Sequence, residues 1–262
     1  MQTSPHVLVD GALFIFGSVA ISLAVLWIVR RVVPHQTLTP HNEVSGFVYA
    51  AIGVIYAVLV GFAVITVWEE IRDAESNAIH EANAAADLYR LAGGLPEPTR
   101  QAVRDGVLAY ATAVIDIEWD AMYDRSAPSD KAVAQMDALW QALSQVQPTT
   151  DTQTEFIGQS LQQLDELSEA RRQRLIDSES GLPGLLWAAL IAGAALTVLF
   201  PCVFGVENGV LHALIIATLA ATLGLLLFLT YDLDNPYSGD VRLSPEGFTH
   251  LLEQFTASPP TP

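Results

Sequence analysis

The sequence predicts an all-α integral membrane protein with four transmembrane helices in two hairpins and a helical extramembrane domain inserted between them. Two observations carry this. Four stretches of bilayer-spanning length lack Asp, Glu, Lys and Arg: Gly11–Val29, Val44–Val67, Leu182–Val206 and Asn208–Tyr231. The 113 residues from Glu69 to Gly181, between the second and third stretch, are charge-rich, and their apolar positions recur at spacings of three and four.

Composition agrees. Of 262 residues, 51% are hydrophobic and only 16% charged, with 12 Lys+Arg against 29 Asp+Glu. An ordinary soluble domain carries about 25% charge. Disordered acidic tails need low hydrophobicity, so that class is excluded. A net charge of −17 lacks the basic face that nucleic acid requires, so no nucleic-acid partner is expected. The single cysteine, Cys202, rules out an intramolecular disulfide framework and any multi-Cys metal site.

Each charge-free stretch meets the roughly 20 apolar residues that cross a hydrocarbon core of about 30 Å. The first is a poor signal peptide, because no positive charge precedes it and Arg30-Arg31 follow it. Backbone in lipid must bond to itself, which makes the spans helices. No ten-residue alternation points to a barrel. The first hairpin covers 8–68, the extramembrane domain 69–181, the second hairpin 182–231 and the tail 232–262. Arg72, Arg171, Arg172, Arg174 and Arg242 lie near the membrane on one side, Arg30 and Arg31 on the other. The positive-inside rule then puts the domain and both termini in the cytoplasm of a cell with this protein in its inner membrane.

Within the domain, Ile71, Ala74, Ala78, Ala82, Ala85, Leu88 and Ala92 mark one face of a helix that continues the second span. The span and this helix read as one rod of nearly fifty residues, about 70 Å long. Gly93-Gly94 stop it, through glycine's access to left-handed backbone. A second helix from Pro98 to Tyr123 presents Val103, Val107, Tyr110, Val114, Ile117 and Ala121. A third, capped by Ser129 after Pro128, presents Val133, Met136, Trp140 and Leu143. A fourth, Asp151 to Ser178, presents Phe156, Ile157, Leu161, Leu164, Leu167 and Leu175.

No enzymatic motif emerges, and no cofactor is expected. His80-Glu81 lacks the second histidine of a zinc HExxH helix. Asp116, Asp120 and Asp124, with Glu118 nearby, read either as a carboxylate cation site or as a solvated face. Glu69, Glu70 and Asp73 read either as a cation-attracting mouth or as an interfacial cluster. The spans hold no ionisable residue except His212, which argues against a proton-coupled pump and for a passive pore or a structural role.

Three segments resemble the bestrophin-like family of bacterial membrane proteins. They are GFVYAAIGVIYAVLVGF over Gly46–Phe62 running into Trp68-Glu69-Glu70; Tyr89-Arg90 with Leu95-Pro96 and Glu118-Trp119; and Tyr231 to Asp240. The group is distantly similar to true bestrophins, which are pentameric anion channels. The resemblance implies a homo-oligomer, possibly a pentamer, in the lipid bilayer, conducting small inorganic ions. In those channels apolar side chains on the second membrane helix form a narrow neck. Aligning the Gly-Phe…Trp motif on Gly61-Phe62 and Trp68 puts Val54, Val58 and Phe62 there, with Ile65 expected on a different face. The turn after the fourth helix, Asp232, Asp234, Asn235, Pro236 and Asp240, is the implied ion-binding or gating turn. It lacks the dense acidic run by which animal members hold calcium. The alternative is a membrane-anchored scaffold whose acidic domain, with 21 acidic and 9 basic residues, binds a partner.

Overall fold

The computed structural model describes residues 2–3, 7–34, 38–124, 126, 130–239 and 241–256. Asp240, Pro128 and Ser129 lie outside them. The described chain is helical apart from the two-residue strands Gln2–Thr3 and Val241–Arg242 and the connections. Four of its helices are long and apolar enough to cross a membrane. Two compact units emerge: residues 3–69 with 181–234, and residues 70–180 with 235–262 plus the first two residues.

The membrane unit holds α1 (Val7–Val32), the first half of α2 (Asn42–Leu91), α7 (Gly184–Leu199) and α8 (Gly209–Leu233). The two hairpins interlock: α1 lies on α8, and α2 on α7. Small residues permit the first contact. The Ser18 hydroxyl donates to Ala220 O at 3.0 Å, and a Cβ on Gly11 would stand 2.9 Å from the Phe228 ring. In lipid, close approach of this kind takes the place of hydrophobic drive. The second contact is fastened by Tyr56, whose hydroxyl donates to Leu190 O at 3.0 Å. Its ring occupies the space a side chain at Gly193 would need.

The far ends of the spans are tied by polar groups. Asn42 Nδ2 donates to Gly205 O at 3.1 Å and its Oδ1 accepts from Gly205 N at 2.9 Å. Arg30 donates to Val206 O at 3.0 Å and to His212 Nδ1 at 3.2 Å. A guanidinium only donates, so His212 Nδ1 is the acceptor and Nε2 carries the proton that Pro201 O receives at 3.0 Å. His212 thus fastens a hairpin end. Asn208 caps α8, accepting from the backbone N–H groups of Val210 and Leu211.

The extramembrane unit contains the rest of α2, then α3 (Thr99–Ala113), a π-turn (Val114–Glu118), α4 (Trp119–Tyr123), α5 (Asp130–Ser144), α6 (Asp151–Glu179) and α9 (Glu246–Thr256). α2 runs unbroken for 50 residues, and its apolar face from Ile71 to Leu88 is buried as the spacing predicted. The segment after the fourth span is more than a tail. α9 buries Phe248 and Leu251, and Phe255 stacks on Tyr89 with centroids 4.0 Å apart.

Three expectations need correction. Val133 points outward, 41% exposed, and Ala132 takes its place beside Met136 on the inner face of α5. Among the described residues no glycine has positive φ, so Gly93-Gly94 do not stop α2 through left-handed backbone. Gly94 is glycine for room: a Cβ there would run into the Phe156 ring. The helix beginning at Thr99 keeps its α register only to Ala113. The π-turn that follows retards rotation, because a π-helix needs more residues per turn. Glu118, Trp119 and Met122 therefore turn inward, while Ile117 and Ala121 are half-buried.

Candidate functional site

The π-turn completes a buried charged cluster that periodicity alone did not reveal. Glu81 on α2, Glu118 on the π-turn and Arg174 on α6 are all fully buried. Arg174 Nε donates to Glu81 Oε2 at 2.5 Å and Nη2 to Oε1 at 3.1 Å. Nη2 also donates to Glu118 Oε2 at 2.6 Å, and Nη1 contacts Met122 Sδ at 3.3 Å. Arg171 pairs with the other oxygen of Glu118. The Tyr110 hydroxyl donates to Glu81 Oε1 at 2.5 Å, and the Trp119 ring lies 5.5 Å from the Arg174 guanidinium. Two carboxylates thus meet two guanidiniums, so the cluster is neutral and every carboxylate oxygen is bonded.

Burial shapes the titration of these groups. It pushes the Tyr110 phenol well above its ordinary value, and the Glu81 carboxylate reinforces the shift. Burial opposes the Arg174 charge, but Glu81, Tyr110 and Glu118 outweigh it, so its affinity for the proton rises. Tyr237, buried with its hydroxyl 3.3 Å from Ala74 O, is also raised, chiefly by burial. The cluster binds three helices together and offers no free catalytic group.

The neck candidates sit on the other unit. Tyr56, Val60, Ala63 and Val67 form the buried side of α2 in the bundle. At about 100° per residue, Val54, Val58 and Phe62 lie on the opposite side. They are 65%, 54% and 67% exposed. Ile65 does not lie on a different face: it stands about 60° around from Phe62 and is exposed as well. The side of α2 turned away from its own bundle is thus apolar from Val54 to Ile65.

The turn after the fourth span is built as a tie. Asp234 is buried and accepts from the Leu182 backbone N–H at 2.6 Å and from Trp187 Nε1 at 2.8 Å. Its carboxylate thereby anchors the start of α7, where uncapped N–H groups favour a negative charge. Asp232 is buried on the last turn of α8. Asn235 O accepts from Gly239 N at 2.9 Å, and Pro236 O from Leu243 N at 2.8 Å. Asp116, Asp120 and Asp124 are exposed, apart from the buried Glu118. Among the described residues no group of three His, Cys, Asp or Glu side chains is placed to hold a metal ion.

A model of the bestrophin-like domain matches residues 16–248 of this sequence. The chain belongs to the bestrophin-like family. This bestrophin-like protein is a membrane protein, by its four apolar helices and its family. Its fold is shared with crystal structures of a bacterial bestrophin homolog from Klebsiella pneumoniae. A point variant of that homolog superposes with a TM-score of 0.68 at 14% identity, covering 96% of this chain and 100% of the other. The structure solved by zinc phasing gives 0.68 and 14%, over 95% and 99%. A further variant gives 0.64 and 13%, over 96% and 99%. No curated protein matches the sequence.

Proposed function

We propose that this bestrophin-like protein is a homo-oligomeric ion channel for small anions, with α2 of each subunit lining a shared pore. One observation carries the reading: Val54, Val58 and Phe62 are exposed on the side of α2 opposite its buried face. In a ring of subunits, stacked apolar side chains of this kind form a neck that gates by losing water. Fivefold assembly follows from the family's kinship with bestrophins. The protein lies in the inner membrane with its termini and its extramembrane domain, residues 69–181, in the cytoplasm. Gating is assigned to the turn of Asp232, Asp234, Asn235 and Pro236, because Asp234 already links the exit of the fourth span to the entry of the third. The exposed carboxylates Asp116, Asp120 and Asp124 stay on the outer surface of the assembly, where they do not deplete anions at the mouth.

Single-channel recording in bilayers with asymmetric chloride tests this. A reversal potential near that of chloride is expected. Reversal at the cation potential would keep the pore and overturn its selectivity. Silence from a solubilised, oligomeric sample would favour the scaffold reading. Reporters after Pro262 and near Ser126 are both expected in the cytoplasm, and a periplasmic signal from both would reverse the orientation.

A further inference from the structure

The extramembrane unit contains a cavity of about 270 Å³ whose polar lining is Glu118, Ser126, Ser178, Glu179, Ser180 and Asn235, the last with an amide that donates as well as accepts. Three serines border it, and each has spent its only proton on the backbone. Ser126 donates to Ala121 O at 3.2 Å, Ser178 to Leu175 O at 2.7 Å and Ser180 to Asp177 O at 2.8 Å. A hydroxyl that has donated retains lone pairs, so on these three lining residues the oxygens can still accept. Glu179 also lines it. Its carboxylate has no hydrogen bond or ion pair among the described residues, and an ionised carboxylate only accepts. Glu118 forms the inner wall, held from behind by Arg171 and Arg174. Met122 and Leu175 supply an apolar patch.

Beside an apolar patch, the three serine oxygens and the Glu179 carboxylate outnumber the one amide that also donates, so the wall favours a ligand with donors, positive charge and a short hydrocarbon. An ammonium head has three donors and no acceptor. The volume falls just below the roughly 300 Å³ at which drug-sized sites begin, so the ligand has few heavy atoms. A bare divalent cation suits the site less, since it wants several carboxylates and only Glu179 is uncommitted. We propose that this cavity binds a short primary alkylammonium ion, its head among Glu179 and the serine oxygens and its chain against Met122 and Leu175.

The test uses the full-length protein in detergent and ethylammonium chloride as probe, at constant ionic strength against sodium chloride. Ethylammonium is expected to raise the unfolding temperature with saturation. Tetramethylammonium, equally charged but without N–H donors, is expected to match sodium. Glu179→Gln, on an exposed residue, should unfold like wild type without ligand and bind about tenfold more weakly, the loss of one charge-assisted hydrogen bond. Equal effects of ethylammonium and tetramethylammonium would overturn the assignment. So would stabilisation by calcium in place of ethylammonium, a response that never saturates, or wild-type affinity in Glu179→Gln. The readout needs no ion flux, so its outcome is independent of whether the protein conducts.

Discussion

Arg174 grips both carboxylate oxygens of Glu81, through Nε at 2.5 Å and Nη2 at 3.1 Å, across 93 residues of sequence. Neither side chain touches solvent. Desolvating an ion pair costs several kcal/mol per ion, so such a pair persists only where geometry and added hydrogen bonds repay it. Here Tyr110, Glu118 and Arg171 supply them.

Removing Arg174 therefore strands the buried Glu81 carboxylate and leaves Glu118 with Arg171 alone. Arg174→Met is expected to destabilise the protein by about 3–5 kcal/mol, the range for breaking one partner out of a buried pair. Replacing Glu81 with Gln at the same time should restore part of that loss, because the amide needs no counter-charge. Chemical unfolding of the solubilised protein measures both, and additive losses would contradict the coupling.

Alkali should loosen the same region. Tyr110 and Tyr237 both hold their protons above the ordinary value of 10.0, mainly because they are buried. Above that value the unfolded chain loses these protons while the folded chain keeps them. Their contribution is thus fully present below pH 10 and is lost as pH rises beyond it. The slope is up to about 1.4 kcal/mol per pH unit for each tyrosine. Tyr110→Phe should be less stable at pH 8, since Glu81 loses a donor, yet fall more gently between pH 10 and 11. An unchanged slope would refute Tyr110's part in it.

The spans were legible because lipid forbids charge, and a run without Asp, Glu, Lys or Arg is hard to mistake. The cluster was missed because charged residues were assigned to solvent by type. A positional signal existed. Glu81 stands seven residues after Ala74 and four before Ala85, on the apolar face of α2, and Arg174 stands seven after Leu167 on α6. The π-turn left no such trace, because an α periodicity fits Val103 to Val114 and its slip afterwards depends on the packing of Glu118 and Trp119. The neck face carries a similar ambiguity. Apolar residues surround α2 on all sides, so hydropathy alone did not mark its exposed side, although the three-residue spacing already sets Ile65 beside Phe62.

Gly94 and Gly93 should respond differently to alanine. A Cβ at Gly94 collides with Phe156, whereas one at Gly93 meets only Arg104 Nη2 at 3.5 Å, an ordinary contact. Overpacking costs about 1–3 kcal/mol. Gly94→Ala is expected to lose that much and Gly93→Ala almost nothing. Equal losses would return the explanation to backbone conformation.

Asp234→Ala should leave the Leu182 N–H and the Trp187 indole N–H without their acceptor. A hydrogen bond to a charged group contributes about 1.5–3 kcal/mol, so a loss of at least about 2 kcal/mol is expected, and Asp234→Asn should lose less. Calcium should not shift the unfolding of wild type, because both carboxylate oxygens are already engaged. A calcium-dependent stabilisation abolished by Asp234→Ala would restore the ion-binding reading of the turn.

Phe62 decides the neck. If Val54, Val58 and Phe62 form stacked rings around a pore, Phe62→Ala widens the narrowest one and raises chloride flux from liposomes several-fold. Ile65 is no control, since it shares the exposed side of α2. Phe16 on α1 is a better one, at 71% exposure against 67% for Phe62. Both replacements delete the same ring from a side chain that packs little within its own subunit. Neither should therefore show the roughly 3–5 kcal/mol loss of a core phenylalanine. Flux that rises in Phe62→Ala and stays at the wild-type level in Phe16→Ala supports a pore along α2. Equal and negligible flux in all three proteins, each correctly oligomeric, would sink the channel reading. A rise in both would mean that the bundle had loosened, not that a ring had opened.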